Sequence, residues 1–310
     1  MNNKLDFSRP LVVLAPLAGY TDLPFRSVVK KFGADLTISE MISSNALVYK
    51  SARTLKMIEK SPTEDPYFVQ IAGNSVDLVK AAVEILNDVE GIDGIDLNCG
   101  CPAPKVFNHG SGSNLLGDLK KLEEILSTVK KYSKKQYTSA KVRIGVNEKI
   151  PVEIGKAVEA CGVDFVSVHG RTRAGKYKAP VDYDAIKMMK EAVSIPVIAN
   201  GDIKDYDKAK EVLEYTKANG VMIGRGAIGK PWVFYQLKHG IEDISNEKKK
   251  EIILEHFDAM LKFHGPHGAI MFRKLLHSYS KGYTGANEFR DIVNKISDVD
   301  VMRDMIENFF

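Results

Sequence analysis

The chain is 310 residues long, 44% hydrophobic and 27% charged, with a formal net charge of +4. This suits one large globular domain, or a barrel with a small appendage, and permits a nucleic-acid partner without demanding one. Three cysteines, Cys99, Cys101 and Cys161, argue against a disulfide framework and fit a reducing compartment.

Residues 1–10 are polar and lack the apolar core of a signal peptide. No apolar run approaches the roughly 20 residues of a membrane helix. A cytoplasmic monomer with no membrane partner is therefore expected. Short apolar, β-branched runs at 11–15, 35–39, 67–72, 92–97, 139–144, 164–169, 195–199 and 220–223 predict eight strands. Amphipathic stretches lie between most of them. At 75–86, Val76, Val79, Val83 and Leu86 recur at spacings of three and four and predict a helix, with Ser75 as its N-cap. Residues 151–161 and 205–217 read the same way, Asp205 capping the second. Strands alternating with helices in this number predict an α/β fold, a TIM (β/α)8 barrel; a doubly wound open sheet is the alternative. Polar signals at the C-terminal end of almost every strand favour the barrel, whose catalytic face lies there. Beyond residue 240 no strand is evident. Helices at 246–264, 267–281, 287–296 and 299–308, separated by Gly-Pro, Gly-Tyr-Thr-Gly and Ser-Asp breaks, predict a small helical domain. The expected organisation is a barrel over 1–240 and a helical domain over 241–310.

The first strand ends in Ala15, Pro16, Leu17, Ala18 and Gly19, then Thr21 and Asp22. The turn can hold backbone against a flat ligand; a plain turn with Thr21 or Asp22 capping a helix is the alternative. On the third strand Gln70 alternates with Val69 and Ile71, so it faces the barrel interior. It can offer donor and acceptor to a ring edge, or be satisfied by backbone. The fourth strand ends in Asp96, Leu97, Asn98, Cys99, Gly100, Cys101 and Pro102. A Cys-x-Cys pair without a second pair or a histidine cluster argues against structural zinc, and no metal is expected. The better reading is one reactive thiol, Cys101, in a turn at the active face, with Cys99 packed. Lys141 and Arg143 share one face of the fifth strand. Desolvation would disfavour them there unless an anion or electron-rich ring, or an internal salt bridge, compensates. The sixth strand ends in His169, Gly170, Arg171, Thr172 and Arg173, a cationic donor cluster. Asn200, Gly201 and Asp202 end the seventh, and Gly224, Arg225 and Gly226 the eighth. Glycines there, with a helix N-terminus behind them, form the usual phosphate cradle of the fold, and Arg225 can pair with the phosphate. Cradle, Gln, Lys and thiol together describe an FMN site.

These motifs, Asn-x-Gly-Cys-Pro at 98–102 and His-Gly-Arg-Thr-Arg at 169–173 above all, resemble the bacterial tRNA-dihydrouridine synthases over nearly the whole chain. The resemblance implies an FMN-holding barrel and a helical domain that helps grip tRNA. It lays Pro16, Leu17 and Ala18 along the isoalloxazine, with Gln70 and Lys141 on the ring and His169 beside it. It gives Asn200, Gly201, Asp202, Gly224 and Arg225 to the ribityl phosphate, and makes Cys101 the catalytic acid. Asn98, Arg171, Arg173 and Arg273 are the expected substrate contacts. The loop after Arg173 departs from the family pattern and is a candidate RNA contact. The implied reaction adds hydride to uracil C6 and a proton from Cys101 to C5, with NADPH or NADH recharging the flavin; no second nucleotide fold is visible for it. Residues 241–310 hold 10 Lys and Arg against 12 Asp and Glu, so RNA contacts there must come from patterned residues such as Arg273, Lys274, His277, Lys281 and Arg290. Rival readings are an FMN barrel reducing a free pyrimidine, as a dihydroorotate dehydrogenase does, and an RNA-binding protein keeping the barrel as scaffold.

Overall fold

In a computed structural model, which describes residues 5–49 and 51–310, the strands pair side by side, all in parallel. Residues 1–4, part of the polar N-terminal stretch, lie outside the described residues. The strands are β1 (Leu11–Leu14), β2 (Thr37–Ile38), β3 (Ile42–Ser43), β4 (Tyr67–Ala72), β5 (Gly94–Cys99), β6 (Tyr137–Arg143), β7 (Phe165–His169), β8 (Val197–Asn200) and β9 (Gly220–Ile223). Their order is β1-β9-β8-β7-β6-β5-β4-β2, and β3 also pairs with β4. A bridge between Val13 and Leu36, with Leu14 N–H donating to Leu36 O at 3.1 Å, brings β1 back against the β2 segment and closes the circle. This is the TIM barrel. The run at 35–39 is realised only as β2, and a second short strand, β3, lies beyond it; both share β4 as partner.

Period two divides each strand between two environments. On β5, Ile95, Leu97 and Cys99 pack outward in the large core beneath the helices. The inward residues form a separate apolar plug of Leu11, Val13, Leu36, Ile38, Phe68, Phe165, Ile198 and Met222. A Cβ on inward-facing Gly94 would meet the Phe68 ring at 2.5 Å, so only glycine fits there. Toward the strands' C-terminal ends the inward set turns polar: Phe68 gives way to Gln70, Gly94 to Asp96 and Asn98, Phe165 to Ser167 and His169, and Ile198 to Asn200. The barrel is thus sealed at one end and chemically equipped at the other.

Ser75 caps the helix Val76–Asn87, and Asp205 caps Tyr206–Thr216 by accepting from Lys208 N–H at 2.9 Å. Asp22 caps Leu23–Lys31, so it serves that helix as well as ending the first loop. The helix expected after the last strand is short, Val233–His239, and begins later than the strand-end glycines implied. Then come Asn246–His264, His267–Tyr279, Ala286–Val293 and Val299–Phe309. Their core of Phe257, Phe272, Tyr279 and Ile306 also takes in Val28, Phe32 and Trp232 from the barrel side. Lys274 Nζ donates to Gly19 O at 2.6 Å, tying the helical segment to the first-strand loop. No described helix is long and apolar enough to cross a membrane.

Candidate functional site

The strand ends and the helical segment enclose a cleft of about 1110 Å³. Thirteen of the expected site residues line it: Pro16, Leu17, Ala18, Gln70, Asn98, Cys101, Lys141, His169, Asn200, Gly201, Asp202, Gly224 and Arg225. They come from seven separate stretches of chain, which only the closed barrel brings together.

The floor is a hydrogen-bonded chain. Asp96, fully buried, accepts from Ser139 Oγ and Gln70 Nε2, each at 2.6 Å. Asn98 Nδ2 donates to Gln70 Oε1 at 2.8 Å, and Asn98 Oδ1 accepts from the N–H groups of Gly100 (3.1 Å) and Cys101 (2.9 Å). Burial pushes the Asp96 carboxyl up to about 6, against its hydrogen bonds and Lys141, which hold it down. Cys101 is half-buried on the cleft wall, whereas Cys99 and Cys161 are buried.

Above this floor lie the β6 cations. Lys141 and Arg143 form no ion pair among the described residues, so an internal salt bridge is not what compensates them. Lys141 Nζ reaches Asn200 Oδ1 at 3.1 Å. Burial first, then neighbouring Arg143, depresses its ammonium to about 8. Arg143 donates to three carbonyls, Gly100 O, Thr172 O and Lys176 O, joining the Cys101 turn to the sixth-strand loop. Tyr177, half exposed, stands between the Arg143 and Arg225 guanidiniums at 5.3 and 4.7 Å. This array was not legible in the sequence; the only hint was the atypical loop that carries Tyr177.

Three expectations require correction. His169 is not part of a cationic cluster: burial, then the charges of Lys141, Arg143, Arg171 and Arg225, drive its pKa well below the ordinary range, so it is neutral. The segment behind Gly224 is a three-residue 3-10 turn, Arg225–Ala227, and not an α-helix N-terminus; Gly229, at φ +81°, and Pro231 break the chain before Val233. Arg171 is no free cation. It is buried and pairs through Nη2 with Asp202 at 2.5 Å. Asp202 also holds Arg225 Nη2 at 2.9 Å.

Arg173 stacks its guanidinium on Phe107, 3.5 Å from the ring centroid, and Arg273 donates twice to Ile296 O. Arg171, Arg173 and Arg273 all lie outside the cleft lining. His277 and Arg290 are likewise bonded internally, to Asn294 and Ser280. The cleft's outer wall instead presents Lys204, Lys230, Lys249 and Lys281, beside Trp232, Tyr279 and Tyr283. Altogether seven Lys and Arg against four Asp and Glu line the cleft, a cationic surplus suited to anionic ligands.

The family model for dihydrouridine synthase matches residues 13–310. A protein of Helicobacter pylori named "Probable tRNA-dihydrouridine synthase" is 52% identical, over 99% of this chain and 94% of that protein. The tRNA-dihydrouridine synthase B of Vibrio parahaemolyticus is 38% identical, over 96% and 95%. Among solved structures, the old yellow enzyme homologue from Zymomonas mobilis superposes with a TM-score of 0.54 at 12% identity, covering 76% of this chain and 90% of that one; this likeness bears on the fold alone. The Asn-x-Gly-Cys-Pro turn and the polar barrel mouth therefore sit within a match that runs through the helical segment to the last residue, and the chain belongs to the dihydrouridine synthase family.

Proposed function

We propose that this chain reduces the C5–C6 double bond of specific uridines in tRNA to 5,6-dihydrouridine, with FMN as cofactor and NADPH or NADH as electron donor. The observation that carries the reading is the convergence of a half-buried thiol, a half-buried lysine with no ion pair among the described residues and a cationic strand-end turn in one cleft of a family member. The donor set fits FMN. Gln70, Asn98 and Lys141 supply polar groups at the level of a ring edge. Asn200, Gly201, Gly224 and Arg225 gather at the β8 and β9 ends, where a phosphate would meet backbone N–H groups and a guanidinium. A Cβ on Gly201, at φ +134°, would lie 2.9 Å from Val181 and 3.1 Å from His169 Cδ2, so the backbone there is kept bare. When bound and reduced, FMN supplies the hydride for uracil C6.

The chain's own residues do the rest. Pro16, Leu17 and Ala18 form one wall for the ring, and Cys101 holds the proton that C5 receives. His169, neutral, adds no positive charge and can accept as well as donate. Residues 241–310 form the helical domain that grips tRNA beside the cleft, with Lys249 and Lys281 toward it. The protein acts in the cytoplasm as a monomer. Free uridine is expected to be a poor substrate, because binding energy from the rest of the tRNA positions the base. The test is a comparison of unmodified tRNA with free uridine in one assay with the flavin-loaded protein. Comparable kcat/KM for the two rejects the tRNA reading and promotes a small-molecule pyrimidine reductase.

A further inference from the structure

The hydrogen-bonded floor has a direction, and one residue sets it. A side-chain amide has a donor end and an acceptor end, and its two flipped states are nearly isosteric. A carboxylate only accepts. Asp96 Oδ2 therefore compels Gln70 to present Nε2, at 2.6 Å. Gln70 Oε1 then faces Asn98 and accepts from its Nδ2, at 2.8 Å. That leaves Asn98 Oδ1 for the N–H groups of Gly100 and Cys101. Ser139 Oγ occupies the other oxygen of Asp96 at 2.6 Å. If Asn98 flipped, its NH2 would confront two N–H donors and release the turn. Four of the participants, Asp96, Gln70, Asn98 and Ser139, are buried, where an unmade hydrogen bond is disfavoured most strongly.

We propose that Asp96 is a positioning residue: by fixing the sense of the Gln70 and Asn98 amides, it holds the Cys101 turn in the conformation that places the thiol on the cleft wall. Its consequence for turnover rests on Cys101 being the proton donor; its effect on the thiol does not. A carboxylate kept ionised in a barrel interior needs such a reason, because desolvation opposes it. Lys141 is the cation that faces it, and Cys99 is the other titratable group coupled to it.

The test uses the flavin-loaded protein and two readouts. One is the rate of Cys101 alkylation by iodoacetamide; Cys99 and Cys161 are buried. The other is single-turnover oxidation of the reduced flavin by tRNA. Asp96→Ala is expected to shift alkylation several-fold and to slow oxidation by about 10- to 100-fold, the scale of a small misplacement of a reacting group. Asp96→Asn should rescue both only in part, since Asn can present Oδ1 to Gln70 and Nδ2 to the Ser139 hydroxyl but can also flip and so no longer fixes the sense of the chain. In an Asn98→Ala background, Asp96→Ala should change alkylation no further, because the link is already cut. Wild-type behaviour of Asp96→Ala, or effects that multiply with those of Asn98→Ala, overturns the proposal. If Asp96→Ala does not fold, Gln70→Met severs the same chain with Asp96 intact, and wild-type thiol reactivity there overturns it equally. Altered alkylation with unchanged oxidation by tRNA would keep the positioning role and refute Cys101 as proton donor.

Discussion

Replacing Asp96 by Asn should stabilise the protein at neutral pH and do so progressively less as the pH falls. The fold raises the Asp96 pKa from 3.8 to about 6, chiefly because burial disfavours the charged form. For a raised carboxyl the sign is fixed: the stabilisation is fully present below about 3.8, where both states are protonated, and is lost as the pH rises through about 6. Well above 6, wild type carries a penalty of roughly 3 kcal/mol, from the interval between the two pKa values at 1.36 kcal/mol each. Asn at this position is nearly the same size and never ionises, so it escapes that penalty. The difference in unfolding free energy between variant and wild type should therefore climb by roughly 2 kcal/mol between about pH 4.5 and 8. Paired urea titrations across that range measure it, and other titrating groups cancel in the difference. A difference that stays flat with pH refutes the reasoning, since it would mean that Asp96 ionises as readily in the fold as in the unfolded chain.

Three further outcomes follow from the site. Cys101→Ala should retain flavin but slow tRNA-dependent oxidation of the reduced flavin by about 10² to 10⁴-fold, with Cys99→Ala mild; stopped-flow absorbance reads both, and equal effects refute the assignment of roles. Arg225→Ala should weaken FMN retention on dialysis, because it removes the most exposed guanidinium at the strand-end turn. Lys281→Ala should lower the slope of log affinity for tRNA against log salt by roughly one unit, while Arg273→Ala, bonded to Ile296 O, should leave the slope unchanged and lower the melting temperature instead.

Where a short apolar run was nearly continuous, as suits a strand buried on both faces, the sequence predicted the strands closely. Runs at 67–72 and 220–223 coincide with β4 and β9. Elsewhere the edges moved for a physical reason. β5 runs on to Cys99, past the expected end at 97, because its last inward residue, Asn98, is polar. Hydrophobic periodicity fades where a strand enters the site, so the signal fails at the positions that matter chemically. The strand-end motifs still identified the cleft, since glycine, amide, thiol and lysine types are unusual at the ends of buried strands. What they could not reveal was each cation's partner. Arg171, Arg173 and Arg273 looked like substrate contacts because guanidinium suits phosphate. In the structure their partners are Asp202, Phe107 and Ile296 O.

That reassignment bears on how a helical segment with more acidic than basic residues can serve an RNA-directed enzyme. Net charge governs long-range attraction, but within roughly a Debye length of about 8 Å it is the local arrangement that counts. Arg273, His277 and Arg290 bond within the helical segment, to a carbonyl, an amide and a hydroxyl, and so hold its geometry. Lys274 fastens the segment to the Gly19 loop, beside the wall formed by Pro16, Leu17 and Ala18. The lysines on the cleft's outer wall are the ones in a position to meet phosphates: Lys204 and Lys230 from the barrel, Lys249 and Lys281 from the helical segment. Both lobes thus contribute cations to one cleft, with Trp232, Tyr279 and Tyr283 between them. An anionic polymer lying across it would be held from two sides while a single base entered the barrel mouth. Of the acidic residues in the helical segment, Glu242 and Asp243 also line the cleft, so the lysines there act against two local carboxylates.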